Sequence, residues 1–286
     1  MRVALLGASG LIGKRLAAAL NARGDAVEAL SLRDPAAAAV AAAQCDAIVN
    51  LAGEPIAQRW SSTVKHRIEY SRTEAPRQFF EQLGRQKRRP AVYVSASAVG
   101  YYGTSETATF DETSPPGNDF LARVCVEWEA QASRARDLGM RVAIVRCGVA
   151  LDPGGGALAK MLPPFRAGIG GVVGNGRQWI SWIHIEDVTR IYELAINRAE
   201  GAIDATAPNP VTNATLTHAL GATLKRPTVA AVPKIALRVM LGEAAYVLLE
   251  GQRVLPKRLL DEYGFQFRFT EIDAALRNLF DGDAKL

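Results

Sequence analysis

The first 23 residues constrain the fold more than any other part of the chain. Residues 2–6 form a short apolar run that ends at a glycine, which predicts a buried parallel strand. Residues 11–23 place leucines on one helical face, and Gly24 then stops the predicted helix. The turn between them reads Gly7-Ala8-Ser9-Gly10-Leu11-Ile12-Gly13, so a strand, a glycine-rich turn and a helix follow one another directly.

Each glycine of this turn has a separate physical use. Gly7 permits the tight turn, Gly10 lets the backbone approach a pyrophosphate, and Gly13 lets the helix lie close to the sheet. The helix N-terminus offers free N–H groups and partial positive charge to the phosphates. The spacing therefore predicts a dinucleotide site that includes Gly7, Ser9, Gly10, Leu11, Ile12 and Gly13.

The end of the second predicted strand indicates which dinucleotide is bound. An acidic residue there would bind the 2′-hydroxyl of the ribose, whereas an arginine accommodates a 2′-phosphate. Arg33 and Asp34 both lie at this place. Asp34 has a competing use as the cap of the next helix, so we favour Arg33 as the phosphate ligand and NADP(H) over NAD(H).

Strands and helices alternate from residue 1 to residue 150. This alternation predicts an α/β fold with a doubly wound parallel sheet of the Rossmann type. Residues 1–150 would form the NADP-binding domain, to which 183–206 return a helix and a strand. Residues 151–182 and 207–286 would form a smaller, mostly helical lobe, since loops and short proline-rich segments predominate there.

Composition narrows the choice of partners. The basic run at 85–89 lacks interleaved aromatic residues and is interpreted as a solvated loop, so no nucleic acid is expected. Three cysteines without paired spacing argue against a disulfide framework or a metal site and favour the cytoplasm. The chain has no run of about 18 apolar residues, so no membrane span is expected. We expect a monomer or homodimer with a small-molecule substrate.

Three segments resemble the short-chain dehydrogenase/reductase superfamily in its extended, epimerase-like branch. They are the glycine turn, the element Asn50-Leu51-Ala52-Gly53, and residues 94–103, which resemble the segment carrying the catalytic serine. More narrowly, the chain resembles an atypical NADP-binding, epimerase-like family from Met1 to about Phe280. The matching elements are Asn50 to Glu54, Ser71-Arg72, Gly100 to Gly103, Trp128-Glu129, Gly174 to Gln178, Trp182-Ile183-His184, Ala207 to Asn213, Arg226-Pro227, Gly242-Glu243, Gln252-Arg253-Val254 and Gly264-Phe265.

The resemblance implies cofactor contacts outside the glycine turn. It assigns such contacts to Arg33, Leu51, Ala52 and Arg72, and it places Gly53 beside the adenine side of the cofactor. Arg146 ends the fifth predicted strand near the expected nicotinamide region. An ion pair between Arg146 and the acidic loop at 106–112 is an equally good interpretation.

The superfamily's acid–base pair is missing from this chain. That pair is a tyrosine with a lysine four residues later, and the lysine depresses the pKa of the tyrosine. None of the seven tyrosines is followed by lysine at this spacing. The remaining candidates for catalysis lie after the fourth predicted strand: Ser97, Tyr101 and Tyr102. The two tyrosines are expected to face the crevice where ligands bind.

Two functions remain open at this stage. The first is an NADP(H)-dependent oxidoreductase or epimerase that acts on a small carbonyl, hydroxyl or nucleotide-sugar compound. The alternative is a non-catalytic NADP(H)-binding regulator, which the missing pair favours. His184 stands alone among apolar residues and is interpreted as structural. An RNA-associated role would rest on the basic run alone.

Overall fold

Residues 1–281 are described by a computed structural model. Six parallel strands form the central sheet, in the order β11-β6-β4-β3-β1-β2. The predicted α/β class with a doubly wound parallel sheet is confirmed. The strands are β1 (Arg2–Leu6), β2 (Ala26–Leu30), β3 (Ala47–Asn50), β4 (Val92–Ala98), β6 (Arg141–Cys147) and β11 (Gly201–Ala205).

Helices cover both faces of this sheet, as its hydrophobic residues require. One face packs its valines and leucines against two helices through Leu16, Leu20, Ile191 and Tyr192. The opposite face packs on Ala39, Phe79, Ala132 and their neighbours. The first pair of helices is α1 (Leu11–Ala22) and α7 (Ile185–Asn197), and the opposite set is α2 (Pro35–Ala42), α4 (Glu74–Gly84) and α5 (Phe120–Asp137). The helix α3 (Ser62–Tyr70) packs through Ile68 in a separate apolar cluster.

Two predicted boundaries are wrong for identifiable reasons. The periodicity of residues 64–86 predicts a helix that Pro76 breaks or kinks. The structure has two helices, but the break lies at residues 71–73, and Pro76 lies in the first turn of α4, where its missing N–H costs nothing. The strand predicted over 91–95 runs to Ala98 as β4. The added length pairs Ser97 with Arg146 of β6.

Short elements complete the rest of the described chain. They surround a separate apolar cluster that includes Leu162, Trp182, Leu216 and Leu276. The helices are α6 (Gly156–Arg166), α8 (Asn213–Leu224), α9 (Lys234–Leu241), α10 (Tyr246–Leu249), α11 (Lys257–Asp261) and α12 (Ile272–Phe280). The strands pair two by two and are β5 (Thr109–Phe110), β7 (Val149–Leu151), β8 (Gly171–Val173), β9 (Trp179–Ile180), β10 (Trp182–His184), β12 (Val211–Thr212), β13 (Ala230–Val232) and β14 (Arg253–Val254).

Among residues 1–281, no helix combines the length and the apolar character that crossing a membrane requires. The C-terminal segment is helical, as predicted, but it also contributes β12, β13 and β14, each of which pairs with a strand from earlier in the chain. The proposed division into two domains stays a prediction.

Candidate functional site

The fold itself requires two of the three glycines in the turn. Gly7 has a φ of +85°, and a side chain on it would lie 2.9 Å from the backbone of Leu51 and Ala52. A side chain on Gly13 would overlap the carbonyl oxygen of Gly7, so α1 can approach the turn only with glycine at position 13. The absence of side chains at these two positions therefore allows the turn, the start of α1 and the residues after β3 to pack closely.

Gly10 differs from the other two glycines. Its φ is −72°, and an added Cβ would lie 3.3 Å from the nearest atom, the Gly7 carbonyl oxygen. Other side chains could adopt this conformation with a small adjustment, so the fold does not demand glycine here. Gly10 is exposed and begins α1 without a side-chain cap, which leaves first-turn N–H groups available. An exposed cradle that a side chain would fill fits a bound pyrophosphate.

The structure separates the roles of the two candidate residues at the end of β2. The Asp34 carboxylate caps α2 by accepting a hydrogen bond from the Ala37 N–H at 3.0 Å. Arg33 is exposed, and its guanidinium has no ion pair within residues 1–281. The acidic side chain is therefore engaged by the helix, while the arginine is free to meet a phosphate.

Arg72 lies beside the end of β3, although it is distant in sequence. Its Nη1 donates to the carbonyl oxygens of Glu54 and Ile68 at 3.1 and 3.2 Å, and its guanidinium lies 4.9 Å from the Trp128 ring. A side chain on Gly53 would come within 2.9 Å of Arg72 Nη2, so glycine makes room for it. Burial lowers the pKa of Arg72, and no carboxylate in the described chain pairs with it. A half-buried cation without a carboxylate partner favours an anionic ligand.

A row of polar side chains crosses the carboxyl end of the sheet. The strand register places Ser97 of β4, Arg146 of β6 and Asp204 of β11 side by side. Glu129 of α5 faces this row: it accepts from Ser97 Oγ at 2.7 Å and receives Nε and Nη2 of Arg146, each at 2.8 Å. The bidentate pair fixes the carboxylate, and the carboxylate fixes the serine hydroxyl.

Tyr102 lies on the buried side of the same cluster. Its hydroxyl donates to the Asp204 carboxylate at 2.8 Å and accepts from Arg146 Nη1 at 2.9 Å, and the residue is 3% exposed. Burial raises the pKa of Tyr102, and the Asp204 carboxylate raises it further. Burial also raises the pKa of Asp204, together with the charge of Glu112. The expectation that the Tyr102 hydroxyl faces the crevice is therefore corrected: it ties the turn after β4 to β11.

One interpretation of Arg146 is corrected by its partners. Arg146 pairs with Glu129 and not with the acidic loop at 106–112. Three of its N–H groups are engaged within the protein, and its guanidinium lies 3.5 Å from the Tyr101 ring. Burial lowers the pKa of Arg146, but the bonds and charge of Glu129 outweigh it and raise the pKa overall. Arg146 therefore fixes Glu129 and Tyr102, and its place near the nicotinamide stays a prediction.

Tyr101 and His184 have different surroundings. Tyr101 is partly exposed, and its hydroxyl makes no hydrogen bond within the described part of the chain. His184 is buried against Phe269, and its Nδ1 accepts from the Glu186 N–H at 3.2 Å at the start of α7. Burial lowers the pKa of His184. The structural interpretation of His184 agrees with this geometry.

Sequence reasoning missed two members of this cluster. Glu129 was noticed only as part of a Trp-Glu motif, and Asp204 was not noticed at all. Their partners lie 17 and 102 residues away in the chain, so no local pattern pairs them. An acidic residue inside the apolar strand Gly201–Ala205 was the one available signal, because a buried carboxylate needs a partner. Residues 1–281 hold no cluster of potential metal ligands.

Comparisons with known proteins identify the relatives of this chain. A protein from Arabidopsis thaliana, "Epimerase family protein SDR39U1 homolog, chloroplastic", is 43% identical over 97% of this chain and 86% of its own length. The crystal structure of human epimerase family protein SDR39U1 (isoform 2) with NADPH is 35% identical, with a TM-score of 0.90 over 98% of this chain and 99% of that one. Thermus thermophilus UDP-glucose 4-epimerase, solved with NAD, is 18% identical with a TM-score of 0.78 over 99% of both chains, which shows the fold alone.

Two family models each match a separate part of the sequence. Residues 232–279 match a domain of unknown function, DUF1731. Residues 3–206, which contain every candidate site residue named above and the central sheet except for Arg2, match the second model. The chain belongs to the NAD dependent epimerase/dehydratase family.

Proposed function

We propose that this chain binds NADP(H) at the carboxyl ends of β1, β3 and β4 and acts as an oxidoreductase or epimerase. Its substrate would be a small carbonyl, hydroxyl or nucleotide-sugar compound. The observation that carries the proposal is the exposed, uncapped start of α1 at Gly10, where the fold does not require a glycine. The human relative solved with NADPH supports the same choice of cofactor.

The residues that would hold the cofactor surround this start of α1. Arg33 would meet the 2′-phosphate, since its guanidinium is free and Asp34 is engaged by α2. The exposed turn would receive the pyrophosphate, and Arg72 would supply a half-buried positive charge at the end of β3. Further contacts are proposed for Gly7, Ser9, Leu11, Ile12, Gly13, Leu51, Ala52 and Gly53.

Bound NADP(H) would supply the hydride chemistry, and the chain would supply proton exchange and positioning. Tyr101 is better placed for proton exchange than Tyr102, whose hydroxyl is buried between two partners. Ser97 is as buried as Tyr102, at 3% exposed, but its hydroxyl has one protein partner instead of two. The Ser97 hydroxyl donates to Glu129, which leaves its oxygen to accept a bond from a substrate. The Tyr101 hydroxyl has no partner within residues 1–281 and is available as a donor.

A substrate panel with three variants tests this assignment. Carbonyl and nucleotide-sugar compounds are screened by NADPH absorbance and by product analysis, so that both redox turnover and epimerisation are detected. With a substrate in hand, we expect Ser97→Ala or Tyr101→Phe to lower turnover by about 10²- to 10⁴-fold, the usual contribution of general acid–base help, without changing NADPH affinity. Tyr70→Phe, an exposed tyrosine outside the site, is the matched control. Normal turnover in both site variants would remove Ser97 and Tyr101 from the mechanism.

A non-catalytic NADP(H)-binding regulator is the second candidate. The burial of the Tyr102 hydroxyl favours it, because it removes one of the two phenols that could replace the missing tyrosine–lysine pair. Tight NADPH binding without turnover of any panel member would favour this candidate. Turnover of one member would exclude it.

A further inference from the structure

The helix α9 exposes apolar side chains to solvent. Six of its eight residues are apolar, and none of the eight is buried. Ile235, Val239 and Met240 are between 67% and 74% exposed. A surface helix ordinarily buries its apolar stripe against the core of the protein. These three side chains therefore form an apolar surface that the described part of the chain does not cover.

Contacts at both ends of α9 fix which side of the helix faces the protein. Leu241 packs in the apolar cluster that contains Trp60, and the carbon chain of Lys234 lies against Gly174. Ile235 and Val239 are four residues apart, so their side chains are neighbours on one face of the helix. We call this pair the apolar row.

Positive charge lies beside the apolar row. Lys234 and Arg238 are also four residues apart, and each precedes a member of the apolar row by one position, so two cations run alongside it. Residues 225–241 hold two more cations, Lys225 and Arg226, and no acidic residue. None of the four forms an ion pair within the described chain. This segment thus carries four unpaired positive charges in a protein whose net charge is +5.

We propose that α9 docks the protein on the surface of an anionic membrane. The apolar row would enter the boundary between headgroups and acyl chains, and the adjacent cations would meet the negative headgroups. Docking of this kind involves one leaflet and needs no membrane-spanning helix. The inference is independent of the proposed cofactor site and goes beyond the proposed function.

Two other occupants fit this face less well. In a twofold dimer the same residues meet across the axis, so the cations of a second copy would lie close together and repel. A nucleic acid would attract the cations, but its bases stack on aromatic side chains, and residues 225–241 contain none. A lipid surface matches both the aliphatic and the cationic side chains of α9.

Vesicle co-sedimentation of the whole protein tests the cations. Vesicles of equal parts phosphatidylserine and phosphatidylcholine are compared with vesicles of phosphatidylcholine alone, and we expect binding to the anionic vesicles only. Lys234→Gln with Arg238→Gln should weaken this binding by about tenfold or more, since each cation near such a surface contributes about fivefold. Arg85→Gln with Lys87→Gln removes the same charge from an exposed loop elsewhere and should change the binding by less than about twofold.

A second pair of variants tests the apolar row without changing the charge. Ile235→Gln with Val239→Gln introduces a residue that helices accept well, and it should weaken binding to the anionic vesicles by about tenfold, because two aliphatic side chains no longer enter the lipid. Val40→Gln replaces an exposed valine of α2 and is expected to bind as the unmutated protein does. Circular dichroism establishes that each variant is folded.

Several results would overturn the proposal. The unmutated protein might fail to sediment with the anionic vesicles, which would exclude membrane docking outright. An equal loss in the Arg85 and Lys87 variant would assign the binding to the overall charge of the protein. A dimer that light scattering detects, and that Ile235→Gln with Val239→Gln dissociates, would assign the face of α9 to a second copy of the chain.

Discussion

Replacing Arg146 with methionine is expected to lower the free energy of unfolding by about 3–5 kcal/mol. The arginine is the cation among the carboxylates of Glu129 and Asp204, and it bonds Glu129 with two N–H groups. The side chains of Arg146 and Glu129 are 6% and 12% exposed, so water cannot replace the lost bonds. Urea unfolding followed by circular dichroism measures the change.

Two further variants separate the buried pair from a general loss of packing. Arg85→Met removes an exposed arginine with one long hydrogen bond and should change stability by less than about 0.5 kcal/mol. Adding Glu129→Gln to Arg146→Met should restore part of the lost stability, because the amide no longer leaves a buried charge without a partner. A loss below about 1 kcal/mol in Arg146→Met would contradict the role given to this network.

Replacing Gly10 with valine is expected to weaken NADPH binding by at least about 100-fold, equivalent to roughly 2.7 kcal/mol. The branched side chain would occupy the space that the pyrophosphate needs above the start of α1. The fold tolerates the change, since φ is −72° and the added Cβ meets one oxygen at 3.3 Å. Loss of glycine as the helix cap should cost about 1 kcal/mol at most.

Gly84→Val is the matched control for this substitution. Gly84 ends α4 away from the site, and a Cβ there would make an ordinary 3.6 Å contact with Leu138. It should bind NADPH as the unmutated protein does. Calorimetric titration of both variants, with circular dichroism to establish folding, decides the question. Unchanged NADPH affinity in a folded Gly10→Val protein would show that the turn has a purely structural role.

Local sequence signals predicted the elements that depend on neighbouring residues. Periodicity and glycine punctuation located β1, α1 and the turn between them, and the Asp-Pro pair located the start of α2. The same reasoning placed the interruption of the helix over 64–86 at Pro76 and not at residues 71–73, because a proline in the first turn of a second helix has the same local pattern as a proline that kinks one helix.

The polar cluster at the carboxyl ends of β4, β6 and β11 could not be predicted from local signals. Ser97, Arg146 and Asp204 share a row only because β4, β6 and β11 are neighbours in that register, although they are distant in the chain. The local pattern after β4 gave Tyr101 and Tyr102 the same expected role. Tertiary packing separates them: Tyr102 lies buried against Asp204, while Tyr101 stays partly exposed beneath Arg146.

The affinities of the unmutated protein for NADPH and NADH test the central claim most directly. Calorimetric titration should show NADPH binding at least about tenfold tighter, a difference of roughly 1.4 kcal/mol, because Arg33 is free to meet the 2′-phosphate and Asp34 is held by α2. Arg33→Ala should remove most of this preference. Equal affinities for the two dinucleotides would contradict the assignment of Arg33, and absence of binding by either would contradict the proposed cofactor site itself.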